Sequence, residues 1–546
     1  MGVPAFFAWL LKKYKNSNFV FKKQENEDIP IDWFLIDTNC LCHPVCFKIL
    51  HEEQDKPNIN FKSLQNKMFN AIIDEIEKLV KYANPKIGVY IAIDGPVGVS
   101  KMKQQRQRRF RSVYDHTFFN KIKIKHNRPL TYYWNNSAIS PGTKWMEKLH
   151  NKIIEWCLKQ KYKIIYSSAN TEGEGEHKLL QFIRNNKEDN SYLTYGLDAD
   201  LIFLMLSTKL DNIYLLREAN QLNKNILTDE LNYVSLKIMK ECIYNTFTTT
   251  KDKNRIINDF IFLCYFLGND FLPHLPSLKI KQNGIEYLIK YYNEIEEDYL
   301  LSEDCKIINY DFLQKFINNI GNDEEFILNK YYNGKKHFRS CYSQEPYDKE
   351  LFKIENLLFK INDPIGIGVD SNYRNNYYKH NFKINEEEIE EFVKELVKEY
   401  LIGLKWITLY YFDKIPDWYW HYPYDYPPFL TDIKKYLFDI NIIKFKEGKS
   451  MAPFEQLLMI LPQQSNYLLP KTFSKLVTNK KSSINHLYPL YFKIDFLYKS
   501  KYYEGIPLLP NFNIKLIKHS YNKYKDELLE DETHRNRIEK EYYFNF

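Results

Sequence analysis

Four aspartates stand directly behind short apolar runs: Asp37 after 33–36, Asp94 after 89–93, and Asp198 with Asp200 after 193–197. Acidic side chains just past the carboxyl ends of parallel strands collect in the crevice where open α/β sheets carry their sites. Asp198 and Asp200 are two residues apart, so in extended backbone both point the same way. Glu174 and Glu176, in Gly173-Glu174-Gly175-Glu176-His177-Lys178, open a helical pattern, and Asp270, in Gly268-Asn269-Asp270, follows another at 255–267. Taken singly, such residues are best explained as turn caps or first-turn helix acids. Seven of them in one crevice would repel one another unless cations neutralise them, and donors that are all oxygen select hard ions, Mg²⁺ or Mn²⁺. The chemistry such a site suits is phosphodiester hydrolysis with two ions.

A basic segment lies next to these acids. Between positions 101 and 128, Lys101, Lys103, Arg106, Arg108, Arg109, Arg111, Lys121, Lys123, Lys125 and Arg128 face a single acid, Asp115. With Ser100 as N-cap, a helix starting at Lys101 puts Lys101, Gln105, Arg108 and Arg109 on one face, at i, i+4, i+7 and i+8. Cations in a first helical turn oppose the helix dipole, a conflict that a bound anion, such as a terminal phosphate, would relieve. A solvated basic helix is the plainer alternative. His43, six residues after Asp37 and expected in a loop, could stack on a nucleobase, as could Trp418 and Trp420 in the aromatic segment 416–426. Aromatic-rich segments are more often core.

The elements that would position these groups are legible as alternating short apolar runs and amphipathic patterns through the first 270 residues, which predict a βαβ succession with a mostly parallel sheet. Strands are expected at 33–36, 87–93, 163–167, 192–196 and 213–216, and helices at 61–82, 143–161 and 178–184. An acidic stretch at 295–304 reads as a loop, and a long helical pattern runs over 385–412. The expected division is 1–294, 295–384 and 385–546: a nuclease domain, a connecting region and a helical, aromatic-rich region.

Composition excludes several classes. At 546 residues the chain exceeds one ordinary core, and 44% hydrophobic with 16% aromatic residues rules out a disordered protein. The longest apolar run, 260–267, is under half of the roughly 20 residues a membrane span needs. Gly2 is followed by Phe6 where a myristoylation signal wants Ser or Thr, so the N-terminus is expected to be mature structure. Eight irregularly spaced cysteines fit a reducing compartment. Cys40, Cys42, His43 and Cys46 cluster, but no second ligand pair at finger spacing follows, so buried thiols are expected there and not zinc. A net charge of +7 is too mild to indicate a polyanion partner by itself.

The sequence strongly resembles the XRN 5′→3′ exoribonucleases. The resemblance lies in the opening Met1 to Phe7, the run from Ala92-Ile93-Asp94-Gly95 to Lys101 and Arg111, Gly173 to Lys178, Tyr195 to Ile202, and Gly268-Asn269-Asp270-Phe271-Leu272-Pro273-His274. A second set follows in Lys405-Trp406, Phe454-Glu455-Gln456-Leu457-Leu458 and Leu508-Leu509-Pro510. It implies an α/β nuclease core of the PIN/FEN-like kind with a mostly parallel sheet and a largely helical second region packed on it. It implies that Asp37, Asp94, Glu174, Glu176, Asp198, Asp200 and Asp270 hold two Mg²⁺, for which Mn²⁺ could substitute. It further implies that Lys101, Gln105, Arg108 and Arg109 form a 5′-phosphate pocket, and that His43 and either Trp420 or Trp418 bracket stacked bases. The expected substrate is single-stranded RNA with a 5′-monophosphate, degraded processively to mononucleotides by a monomer in the cytoplasm, or alternatively the nucleus, with no membrane association. Three departures from the family pattern stand out: Cys40 for Gly, Thr171-Glu172 for Val-Pro, and Tyr502-Tyr503 where a Trp is expected. Ending at Phe546, the chain reads as a minimal version. The rival readings are a flap-endonuclease-like DNase, disfavoured because 271–276 is no glycine-rich hairpin motif, and a catalytically inactive RNA-binding protein.

Overall fold

The computed structural model describes residues 5–22, 29–53, 60–130, 133–186, 189–218, 230–296, 298–332, 340–511 and 513–545. An eight-stranded sheet forms the centre. In chain order its strands are β1 (Val20–Phe21), β2 (Trp33–Asp37), β3 (Gly88–Ala92), β4 (Lys163–Ser167), β5 (Tyr192–Tyr195), β6 (Ile213–Glu218) and β7 (Leu231–Ser235), with a C-terminal strand, Tyr542–Phe544, at one edge. The spatial order is β1, β7, β6, β5, β2, β3, β4 and then the C-terminal strand. From β6 to β4 every pairing is parallel, and the sheet turns antiparallel only towards its two edges. The fold is therefore α/β with a mostly parallel sheet.

Parallel strands are covered on both faces and so read as continuous apolar runs. β2 and β3 are buried at every residue, and their side chains alternate between two cores. Phe34, Ile36, Val89 and Ile91 enter one, Leu35 and Tyr90 the other. The acids follow from this register: Asp37 ends β2 beside Ala92 of β3, and Asp94 and Asp198 lie in the turns just beyond β3 and β5.

Several local details differ from the sequence expectation. The basic helix is Val99–Lys125, beginning after Gly98 and not at a Ser100 cap. His43 lies on the helix Thr38–Glu53 and not in a loop. Asp198 is the N-cap of the helix Ala199–Leu206 and Asp200 sits in its first turn, so the pair is not in extended backbone. As the sequence suggests, Cys42 and Cys46 are buried thiols.

The rest of the chain is largely helical, built around the long helix Ile389–Phe412. The basic helix is clamped to this second region by its own apolar side: Val99, Met102 and Phe110 share a core with Phe454, Leu457 and Leu458. Two of its cations serve the clamp. Arg106, 3% exposed, donates Nη1 to the Met459 carbonyl (3.0 Å) and Nη2 to that of Leu487. Arg111 donates to the carbonyls of Gly505 (2.8 Å) and Tyr502 (2.7 Å) and, through Nε, to Asp115 (2.7 Å). Among the described residues no helix is long and apolar enough to cross a membrane.

Arg106→Ala leaves two buried carbonyls without their donor, at a cost of roughly 2–5 kcal/mol. The expected outcome is a clearly lower melting temperature by calorimetry, whereas Arg108→Ala, at an exposed position of the same helix, leaves melting unchanged.

Candidate active site

Beyond the carboxyl ends of the parallel strands lies a cavity of about 650 Å³. Asp37, Asp94, Glu174, Glu176 and Asp198 line one side of it; Lys101, Gln105, Arg108, Arg109 and His43 line it as well. Asp200 and Asp270 are buried at the back, reached through their partners. The seven acids and the four polar residues of the basic helix that the sequence singled out thus share one neighbourhood.

Several of the acids are held by identifiable contacts. Asn39 donates from its side chain to Asp94 Oδ2 (2.7 Å) and from its backbone to Asp37 Oδ1 (3.2 Å), coupling two strand ends. The Gly175 N–H donates to Asp94 Oδ1 (2.7 Å), so the helix Gly175–Asn185 points its N-terminus at that carboxylate, as the helix dipole favours. Only glycine fits there: a Cβ on Gly175 would stand 2.9 Å from Asp37 Oδ1. Asp270 is carried on a turn in which Gly268 has φ +82° and Asn269 Oδ1 accepts from the N–H groups of Phe271 and Leu272, both at 2.9 Å.

Lys101 sits in the midst of these acids. Its ammonium bonds Asp270 (2.8 Å) and pairs with Glu174. Here anions of the chain itself relieve the dipole conflict that the sequence attributed to a bound ligand. Burial opposes the charge on Lys101, but Asp270 and Glu174 outweigh it and raise its pKa well above the ordinary value. For Asp270, burial is likewise overridden by Lys101, which holds the carboxyl below the usual range. For Asp37, Asp200 and Glu176, burial prevails. Burial, followed by the neighbouring Asp94, pushes Asp37 up to about 7, and burial followed by Asp270 pushes Asp200 up to about 7. Glu176 is raised well above its ordinary value, mainly by burial. Its Oε2 is buried and finds no hydrogen-bond partner among the described residues.

The cationic side has an orphan of its own. Arg109 donates Nη2 to Ser140 Oγ (2.7 Å), but its Nε is buried without a partner among the described residues. Burial and then Arg108 lower the Arg109 pKa to about 9; burial, then Arg108 and Arg109, lower that of His43 to about 4, so its ring is neutral near pH 7. Gln105 accepts from Gln456 Nε2 (3.2 Å), which itself anchors the Val97 N–H through Oε1 (2.9 Å).

The two tryptophans do not line the cavity. Trp418 is 9% exposed, its carbonyl accepting from the Val99 N–H, and Trp420 stacks on Trp406 with centroids 5.2 Å apart. Trp418 thereby braces the start of the basic helix. The aromatic ring that does line the cavity is Tyr503, 68% exposed. It is presented by the Tyr502 turn that Arg111 and Asp115 hold. Its sequence signal was the departure at Tyr502-Tyr503, where a Trp was expected. Three further contributors went unnoticed. Asn39 lies within a helix, and Tyr410 and Tyr411 look like core aromatics of an apolar helix, yet their hydroxyls donate to Glu174 Oε1 (2.8 Å) and Asp200 Oδ1 (3.1 Å).

Comparison with known proteins agrees with this geometry. The family model described as the XRN 5′-3′ exonuclease N-terminus matches residues 1–219, and that of the Xrn1 helical domain matches 250–360 and 343–545. Human 5′-3′ exoribonuclease 1 is 28% identical, over 98% of this chain and 35% of its own length. The 5′-3′ exoribonuclease 2 proteins of Candida albicans (27%) and Arabidopsis thaliana (28%) align with 98% of this chain and with 74% and 68% of their own lengths. The chain thus spans about a third of the human relative and most of the other two. Among solved structures, the catalytic core of Rad2 in complex with DNA covers 71% of this chain and 98% of that one, at 14% identity and a TM-score of 0.33, too low to weigh on the fold. With its two halves matched by the two successive family models and its acids and basic helix facing one cavity, the chain belongs to the XRN 5′-3′ exonuclease family.

Proposed function

We propose that this protein is a divalent-cation-dependent 5′→3′ exoribonuclease that removes mononucleotides processively from single-stranded RNA bearing a 5′-monophosphate. The observation that carries the reading is a single cavity with both halves of the required chemistry. Buried acids line it, with Glu176 Oε2 unpaired among the described residues, and so does Arg109, with Nε likewise unpaired. An unpaired buried acceptor among mutually repelling carboxylates is what a hard cation would satisfy, and an unpaired guanidinium N–H is what a phosphate oxygen would satisfy.

In this reading Asp37, Asp94, Glu174, Glu176, Asp198, Asp200 and Asp270 hold two Mg²⁺ or Mn²⁺ ions. When bound, such ions lower the pKa of an attacking water and supply the positive charge that a phosphodiester transition state needs. The chain's own residues do the rest. Arg109, Arg108, Gln105 and Lys101 grip the terminal phosphate, whose extra charge over an internal diester favours several charge-assisted hydrogen bonds. His43, neutral and close to these arginines, and Tyr503, in place of Trp418 or Trp420, offer ring faces to unstacked bases. Recognition through a terminus and ring faces requires no sequence readout and makes cleavage directional.

The direct test uses matched single-stranded RNAs with 5′-monophosphate, 5′-triphosphate or 5′-hydroxyl ends. Monophosphate RNA is expected to be degraded about 30-fold faster or more, as a lost charge pair of about 2 kcal/mol implies, with EDTA abolishing activity and Mg²⁺ or Mn²⁺ restoring it. Undiminished hydrolysis in EDTA contradicts the proposal.

Arg109→Ala separates discrimination from catalysis. Its effect should fall on the ratio between monophosphate and hydroxyl substrates, shrinking it on the order of tenfold, with little change for the hydroxyl RNA. Equal slowing of both substrates would instead make this face a general RNA-binding surface.

The raised acids predict a pH-dependent cation effect on stability. Without a cation, folded Asp37 and Asp200 keep protons that the unfolded chain releases from 3.8 upward, so their contribution weakens the fold as pH rises from there to about 7. A cation must displace those protons. The rise in melting temperature on adding millimolar MnCl₂ is therefore expected to be larger at about pH 8 than at about pH 6, measured by scanning fluorimetry. A shift independent of pH counts against these acids as the binding site.

A further inference from the structure

We propose that Tyr410 and Tyr411 are positioning residues for the acidic cluster, so that the helical region sets the cation affinity of a site whose acids all lie between Asp37 and Asp270. The inference rests on the reading of the cavity as a divalent-cation site.

The two tyrosines are neighbours near the end of the helix Ile389–Phe412 and are 3% and 2% exposed. Successive helical residues diverge by about 100°, so adjacent side chains reach different targets. Tyr410 donates to Glu174, at the head of one helix, and Tyr411 to Asp200, in the first turn of another. A buried phenol needs an acceptor, and any carbonyl would serve. Here both neighbours bond carboxylates of the same cluster. Each engages one oxygen: Tyr410 takes Glu174 Oε1 and Lys101 approaches Oε2. Glu174 is thereby held from both sides.

The hydroxyls are themselves fixed. The Tyr410 ring stacks on His177 (4.3 Å between centroids) and on Trp406 (5.2 Å), with the Phe271 edge at 5.0 Å. The backbone is tied to the helix that Glu174 heads: His177 Nε2 donates to the Tyr410 carbonyl (3.0 Å), Arg184 to that of Tyr411, and Gln181 to that of Asp413 (2.8 Å). The helix carrying the tyrosines and the helix headed by Glu174 therefore move as one body, and the phenols transmit that rigidity to the carboxylate oxygens. Donors that orient ligating carboxylates change metal affinity by 10- to 100-fold when removed.

The test is Tyr410→Phe and Tyr411→Phe, singly and together. Each keeps the ring and its packing and removes only the hydroxyl. Mn²⁺ binding to the RNA-free protein, by isothermal titration calorimetry, is expected to weaken on the order of tenfold or more in each variant. With 5′-monophosphate RNA at fixed Mg²⁺, kcat falls and KM stays within about twofold, because the phosphate-gripping face is intact. Tyr378→Phe is the control. It removes an equally buried hydroxyl–carboxylate bond, to Asp432, in the same region but away from the cavity, and is expected to lower melting temperature while leaving Mn²⁺ affinity unchanged. Wild-type Mn²⁺ affinity in both single variants, or an equal loss in Tyr378→Phe, overturns the inference while leaving the cation-site reading intact. A wild-type protein that takes up no Mn²⁺ overturns that reading and the inference with it.

Discussion

Carboxylates gathered beyond one sheet repel one another unless cations lie among them, and a cation placed in their midst is the Lys101 ammonium. It pairs with Glu174 and bonds Asp270, the acids of two segments far apart in sequence. The compensation is partial. Asp270 is held ionised, while Asp37, Asp200 and Glu176 are pushed towards their protonated forms by burial. On the proposed function, a site with internal compensation for only some of its charge would exchange protons for hard cations.

Because Lys101 belongs to the basic helix, the position of that helix decides the state of the acids. The helix is fixed from behind by the core around Val99, Met102 and Phe110 and by Arg106 and Arg111, whose guanidiniums are spent on carbonyls of the second region. Cations of the segment 101–128 thus serve different ends. Lys101, Arg108 and Arg109 line the cavity, whereas Arg106 and Arg111, the latter also at the cavity, are struts between the two halves of the protein. The tyrosine contacts to Glu174 and Asp200 link the halves a second time, on the acidic side.

Much of this was legible in the sequence, for a physical reason. Buried parallel strands carry unbroken apolar runs, so β2 to β6 are recognisable within one or two residues, and acids immediately behind them mark the crevice. The edge strand β1 and the C-terminal strand carried no such signal, being short and half-buried, and the pairing of the latter joins residues such as Tyr542 and Tyr166 across most of the chain. Local pattern misplaced His43 because a helix that starts directly after a strand, at Thr38, leaves no intervening loop residues to read, and it misplaced the Asp198–Asp200 pair because only three residues separate β5 from the helix at Ala199. Spacing on one helix face could group Lys101 with Arg109, but it could not reveal that Arg106, two residues before Arg108, faces the other way into a buried carbonyl pair. The roles of Trp420 and Tyr503 were hidden for a related reason: an aromatic ring reads alike in sequence whether it packs on Trp406 or lines a cavity.

The overall charge of +7 is small for a protein expected to hold a polyanion, and its distribution explains why it suffices. Affinity for a phosphate chain depends on cations that are free to pair with it, and in this structure many are engaged elsewhere: Lys103 with Asp425, Lys125 with Glu350, Arg128 with Glu345. What remains is a narrow cationic strip, Arg108 with Arg109, set directly against carboxylates that repel phosphate. An internal stretch of nucleic acid gains little from such a strip, since each diester that approaches it also approaches the acids. On the proposed function a chain end differs, because its terminal phosphate would meet Arg108 and Arg109 while the next linkage would lie over the carboxylates and the cations they would hold. On the proposed function, opposed charge in one cavity of about 650 Å³ would therefore favour termini over internal sites before any individual hydrogen bond is considered.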